Sequence, residues 1–405
     1  MVEAMEIPKG FKKTEVGIIP SDWDVKKLSE IGESIIGLTY SPSNVKTHGT
    51  LVLRSSNVQN GKLAFKDNVY VDMDLPKRVI VKENDILICV RNGSRQLIGK
   101  CALIDKETAG SAFGAFMSIY RSDISVFAFH QFQSHTIQRQ INETLGATIN
   151  QITNKDLASF QITLPSAKAE QTAIATALND ADALITQLEK LIAKKRAIKQ
   201  GAMQELLKPK EGWEFKKLEE IGVIDLDSLG YDTSPNYLFQ YISLEDVDYG
   251  VLKNTTELTY SNAPSRARRK IKKGDILIST VRPNLKSHLL IKEDVSNWIC
   301  STGFSVLRCK ENIAHCGFVF HHFFASIIND QIETLISGSS YPAINSKDVK
   351  SLKIPLPSFE TQIRIAKILS DMDAEIDALE KNLAKYKMLK QGMMQNLLTG
   401  KIRLI

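Results

Sequence analysis

Two short segments of this chain carry side chains suited to reading nucleic acid. RNGSRQLIGK (91–100) follows the apolar run DILICV, and RPNLKSH (282–288) follows DILIST. Arginine can donate two parallel hydrogen bonds to guanine, and asparagine or glutamine can pair twice with adenine. Lysines and hydroxyls suit phosphate oxygens. Between Ser261 and Lys292 there are nine lysines and arginines against one acid, Asp275; between Lys77 and Lys100 there are six against two. A solvated loop on a basic protein has the same composition, so the segments carry weight only if something else in the sequence pairs them.

Charge, polarity and expected loop position nominate the candidate DNA contacts. In the first half they are Arg54, Ser56, Asn57, Arg91, Asn92, Ser94, Arg95, Asn150 and Gln151. In the second half they are Arg266, Arg268, Arg269, Arg282, Asn284, Lys286, Ser339, Ser340 and Tyr341. Arg266, Arg268 and Arg269 are expected on phosphates, and Arg282 on a base. Tyr341 sits in GSSYP, opposite GATIN of the first half, and a loop-packing tyrosine is the equal alternative.

Other chemistry finds no support. There is no GxGxxG after a strand, no P-loop, no HExxH and no GxSxG. The (D/N/S)PP(Y/F) motif of adenine methyltransferases and the PD…(D/E)xK core of nucleases are both missing. The carboxylates of SDMDAEIDALE (370–380) fall on the outer positions of a helix, where a solvated face or a protein contact is expected. Five cysteines without a CxxC pair read as free thiols of a reducing cytosol. His315, Cys316, His321 and His322 match no zinc spacing and are expected in packing, so no metal site is assigned.

With 405 residues, 43% hydrophobic and 24% charged, the chain suits a soluble protein of two or more domains. It has no run of eighteen apolar residues, and its N-terminus lacks the apolar core of a signal peptide. No membrane span is expected, and the cytoplasm is the expected location. The net charge of +6 means little until its distribution is considered.

The elements that must position these loops occur twice. SDWDVKKLSEIG (21–32) matches EGWEFKKLEEIG (211–222), NDILI matches GDILI, and INQITNKDLASFQITLPS (149–166) matches YPAINSKDVKSLKIPLPS (341–358). The offset stays near 190 residues, which marks a duplicated domain rather than a solenoid. Each half holds short strands, with LVLR, DILICV, KCALI and FMSIYR in the first and FQYISL, DILIST, HLLI and FSVLR in the second. One helix is expected over 129–145 and another over 315–336. Trp23 and Trp213 are expected as core anchors.

Each half then ends in a long helix. Apolar residues recur in steps of three and four at Ile174, Leu178, Ile185, Leu188 and Ile192, and again at Ile365, Leu369, Ile376, Leu379 and Leu383. That is a seam for a partner helix. The seam then meets Lys195 and Lys199 in one copy and Lys390 in the other, and looser packing is expected there. An antiparallel pair would act as a ruler; 33 residues give roughly 50 Å, against roughly 34 Å for a turn of duplex DNA. The pseudo-symmetry also predicts that LLTGKIRLI lies near the N-terminal segment.

Several of these segments, taken in order, resemble one known family. GFKKTEVGIIPSDWDVKKL, GKCALI, AFGAFMSIYR, TNKDLASFQITLP with AEQTAIATAL, and SKDVKSLKIPLPSFETQIRIAKILSDMD through LLTGKIRL together resemble the specificity (S) subunits of type I restriction–modification systems. The resemblance covers essentially the whole chain and rests on the ordered pair of repeats. The first junction, PSAKAEQ, is a weaker form of the usual Leu-Pro-Pro-x-x-Glu-Gln.

The resemblance implies an α+β fold. Two pseudo-symmetric α/β target-recognition domains (1–166 and 209–358) would be separated by two long helices (167–208 and 359–405) packed as an antiparallel coiled coil. It implies a non-catalytic subunit that reads a bipartite double-stranded DNA target. Two methyltransferase (M) subunits would bring S-adenosylmethionine, and restriction (R) subunits would bring ATP and Mg. A methylation-only system, or a coiled-coil adaptor that does not bind DNA, is the alternative, and an enzyme with an unfamiliar site is a third reading.

Overall fold

The tetrapeptide Ile86-Leu87-Ile88-Cys89 is completely buried, and the rest of its half is layered on it. In the computed structural model, which describes residues 7–146, 150–336 and 342–404, it is strand Ile86–Cys89. It is one of two central strands in a four-stranded antiparallel sheet whose order is Cys101–Leu103, Ile86–Cys89, Met117–Arg121, Glu33–Ile36. Successive side chains of a strand point to opposite faces. Ile86 and Ile88 therefore pack with Trp23, Phe127, Phe132 and Ile174 on the helix side. Leu87 and Cys89 pack with Val52, Val71 and Phe113 of a second sheet. That sheet runs Ala112–Phe113, Thr50–Leu53, Tyr70–Val71, Val45–Lys46, and its first pair is parallel. A continuous apolar run is what burial on both faces requires.

The chain divides into two compact units: residues 1–188 with 382–405, and residues 189–381. The second unit repeats the plan. Strand Ile276–Ser279 stands in the sheet Gly222–Ile224, Phe304–Cys309, Ile276–Ser279, Leu289–Leu290. A second sheet runs Thr256–Thr259, Leu238–Ile242, Trp298–Ser301, Ala267–Lys270. Ile276 and Ile278 face the helices, while Leu277 faces Ile242, Cys300 and Phe304.

The recurring aspartate of NDILI and GDILI has a structural reason. Asp85 is buried and receives Nε and Nη2 of Arg121 at 2.8 and 2.6 Å. Asp275 is buried and receives Nε and Nη2 of Arg308, both at 2.8 Å. Each carboxylate also accepts the backbone N–H three residues earlier, at Lys82 and Lys272. The forked guanidinium fits a carboxylate with two parallel bonds, so each pair locks the strand end to its sheet neighbour.

Each single helix expected at the end of a half is two helices. In the first half Ser125–Phe132 is followed by His135–Thr144, and the break falls where Ser134 caps the second helix by accepting the N–H of Ile137. In the second half Cys316–His322 is followed by Ser326–Ile336. Trp23 is fully buried, whereas Trp213 is half-buried with its ring edge on Phe318.

The long helices span Lys168–Leu206 and Phe359–Leu397. Of the seam residues Ile174, Leu178, Ile185, Ile192, Ile365, Leu369 and Ile376 are buried; Leu188, Leu379 and Leu383 are half-buried. Their pairing is antiparallel within each unit. In the first unit Asp182 meets Lys390 at 2.7 Å. In the second, Lys195 meets Glu375 and Arg196 meets Glu380, both at 2.6 Å, and Lys199 meets Asp373. The seam lysines are thus ion-paired rather than loosely packed, and Lys390 and Lys199 keep only 14% and 20% of their side-chain exposure.

The tail closes the first unit. Arg403 pairs with Asp22 and with the buried Glu170, and its guanidinium lies 5.6 Å from the Trp23 ring. Thr163 donates its hydroxyl to the carbonyl of Leu398. Among the described residues no helix is long and apolar enough to cross a membrane.

Candidate nucleic-acid interface

In each unit the loop after the buried strand is braced against a segment from the far end of the same half. In the first unit Ile152 donates to the carbonyl of Val90 at 2.8 Å, Arg91 and Gln151 form an antiparallel bridge, and Asn92 donates to the carbonyl of Asn150 at 3.3 Å. In the second unit Ile344 donates to Thr280 at 2.9 Å, Val281 and Ala343 form the bridge, and Arg282 donates to Pro342 at 2.8 Å. The two sets of bonds correspond one for one. The repeat therefore reproduces a backbone frame whose side chains are free to differ.

In the first unit the frame gathers Arg91, Asn92, Ser94, Asn150 and Gln151. Asn92 spans it, donating to Ser55 Oγ at 3.0 Å and accepting the N–H of Ser94. Asn150 donates to the carbonyl of Gly93 at 3.0 Å. Both asparagines thus hold the loop. Arg91, Ser94 and Gln151 are exposed. Arg91 places its guanidinium 5.1 Å from the ring of Phe116, which is itself 56% exposed.

Other nominated residues serve the fold. Asn57 is fully buried, and its amide accepts the N–H of Arg54 and donates to Ala64, Asp67 and Asn68. It is a turn anchor whose amide is engaged within the fold. Arg54 is paired with Asp67 at 2.8 Å. The hydroxyl of Ser56 is buried. Arg95 is exposed but donates to the carbonyls of Asn142 and Leu145, where it satisfies the end of helix His135–Thr144.

In the second unit Arg266, Arg282 and Asn284 are exposed and Lys286 is half-buried. Arg282 and Lys286 hold φ values of 49° and 56°, so two non-glycine residues of one loop are left-handed, with the buried Pro283 between them. His288 ends the loop, fully buried, and accepts the N–H of Ser279. Arg268 lies over the Tyr260 ring at 4.9 Å. Arg269 corrects an expectation. Its side chain is 16% exposed and engaged in an ion pair with Asp225, which leaves little of it for the phosphate expected there. Ser339, Ser340 and Tyr341 lie outside the described residues.

Two ring contacts of the nominated arginines escaped sequence reading. Phe116 was grouped with the apolar strand FMSIYR, but the strand starts at Met117, which turns the ring outward. Tyr260 carries no local signal of its contact with Arg268. His315, Cys316, His321 and His322 lie at helix Cys316–His322; the last two are buried among Phe318, Phe320 and neighbouring rings. Among the described residues no group of three or more His, Cys, Asp or Glu side chains could hold a metal.

The chain and its fold have counterparts among known proteins. The family profile described as type I restriction modification DNA specificity domain matches residues 20–200 and 210–386. The chain is 29% identical to the putative MjaX type I restriction enzyme specificity subunit of Methanocaldococcus jannaschii, over 98% of this chain and 97% of that protein. It is 25% identical to the EcoKI specificity subunit of Escherichia coli K12, over 95% and 90%. Among solved structures, the S subunit of a type I restriction–modification system from M. genitalium superposes with a TM-score of 0.63 at 19% identity, covering 93% of this chain and 96% of that one. A chain from a study of type I system assembly gives 0.55 at 17% identity, covering 95% and 99%.

Proposed function

Because the chain belongs to the type I restriction–modification DNA specificity family, we propose that it is the subunit that selects the DNA target of such a complex. Each unit reads one half of a bipartite duplex sequence, and the long helices set the gap and dock two methyltransferase subunits. The observation that carries this reading is the repeated frame, in which the starts of the two loops, 90–92 and 280–282, are braced by 150–152 and 342–344. A rigid loop loses little freedom on binding, so its side chains can discriminate between bases.

The chemistry resides on the partners. S-adenosylmethionine is bound by the methyltransferase subunits, and ATP with Mg by restriction subunits. This chain supplies position only, and it works in the cytoplasm where host DNA lies. Arg266 and Arg268 are phosphate contacts, and their removal should flatten the salt dependence of DNA binding by about one unit each.

Methylation mapping of DNA from cells that carry the chain with its partners tests the reading. One bipartite sequence with a fixed gap is expected, and it should vanish when the gene for this chain is deleted. Methylation that persists without the chain, or methyltransferase activity of the purified chain alone, would overturn the proposal.

A further inference from the structure

The exposed pair Arg91 and Phe116 is the least constrained feature of the frame. Among the described residues the guanidinium of Arg91 has no hydrogen bond or ion pair, and its contact is with the ring. Arg54, Arg95 and Arg269 are all held by carboxylates or carbonyls. Stacking engages the flat face of a guanidinium and leaves the donors on its rim free. The backbone that carries the ring is held in place. The carbonyl of Phe116 accepts the N–H of Val90 and of Arg91, at 3.0 and 3.1 Å, and its neighbours Ala115 and Met117 donate to Leu38 and Gly114. One pinned stretch of backbone thus presents a cation with free donors and an apolar ring side by side.

Resting on the DNA-specificity reading, we propose that Arg91 and Phe116 are the base reader of the first unit, with Arg91 on the O6/N7 edge of a guanine and Phe116 against the methyl group of the adjacent thymine. Both base features face the major groove, and both pairings are the chemistry those side chains favour there. The second unit fills the same backbone positions differently. Thr280 donates to the carbonyl of Gly303 as Val90 does to that of Phe116, and Val281 takes the bridge position of Arg91. It has neither guanidinium nor ring at these two positions. The two units therefore read different bases from one scaffold, and the second reads no guanine through this position.

Selection of bound duplexes from a random library by the full chain tests the assignment, comparing the wild type with Arg91→Ala, Arg91→Lys and Phe116→Ala. The wild type should enrich a bipartite sequence with a guanine beside a thymine in one half. Arg91→Ala and Arg91→Lys should lose about 10- to 100-fold in preference at that guanine. Phe116→Ala should relax the neighbouring thymine. The other half-site, unchanged in every variant, reports that the protein is folded. Uniform weakening with all base preferences intact marks a phosphate contact and overturns the pair; so do unchanged preferences. A wild type that enriches no sequence overturns the underlying reading instead.

Discussion

A polar side chain in a basic loop can face a ligand or hold the loop, and burial separates the two. Asn57 is completely buried with both ends of its amide engaged. Asn57→Ala should cost about 1–3 kcal/mol in denaturant unfolding, because it removes the partner of the Arg54 N–H and of the Ala64 and Asp67 carbonyls. DNA preference of the folded fraction should not change, and a changed preference with normal stability would return Asn57 to the interface. The histidines make a second case. Burial holds the rings of His288, His321 and His322 at about 3 and that of His130 at about 4, against an ordinary 6.5. The unfolded chain therefore binds protons below pH 6.5 that the folded chain does not. Their contribution is complete above pH 6.5 and falls as pH drops toward 3. At pH 5.5 each should lower stability by roughly 1 kcal/mol. Three of the four lie in the second unit, so its unfolding midpoint should move more between pH 7.5 and 5.5. Equal shifts of both units would refute this.

At the level of elements, the apolar seam alone does not choose between parallel and antiparallel pairing, since both helices carry the same frame. The charges do. Lys195, Arg196 and Lys199 find Glu375, Glu380 and Asp373 only when the helices run in opposite directions. Lys199→Asp or Asp373→Lys alone should lower the melting midpoint of the second unit, by an amount on the order of 1 kcal/mol for a part-buried pair. The two changes together should restore most of it, and a strictly additive loss in the double mutant would argue against the pairing. The braced loops follow the same logic. Their backbone bonds recur in both units, while the side chains between them do not.

The whole molecule is a duplication in which each long helix serves both units. Residues 382–405 complete the first unit, and the tail is pinned by Arg403 on Asp22 and Glu170. If the helices set the gap of the target, seven residues inserted in each, after Leu188 and after Lys381, lengthen the spacer by about 10 Å, or about three base pairs. Methylation mapping of the insertion variant should return the same two half-sites at a wider gap. An unchanged gap with both half-sites retained would remove the helices from the role of ruler.

Much was legible in the sequence because it is carried by local patterns. Offsets near 190 revealed the duplication, steps of three and four revealed the helix seam, and unbroken apolar runs marked strands buried on both faces. The loops were found from charge and polarity alone. Only the tertiary structure decided which of their residues are free. Asn57 and Arg269 are spent on partners 10 and 44 positions away, at Asp67 and Asp225, and Phe116 is turned outward by bonds to a strand end that lies 26 residues earlier. Such contacts depend on which backbone groups the fold brings within hydrogen-bonding range, and no local spacing encodes that.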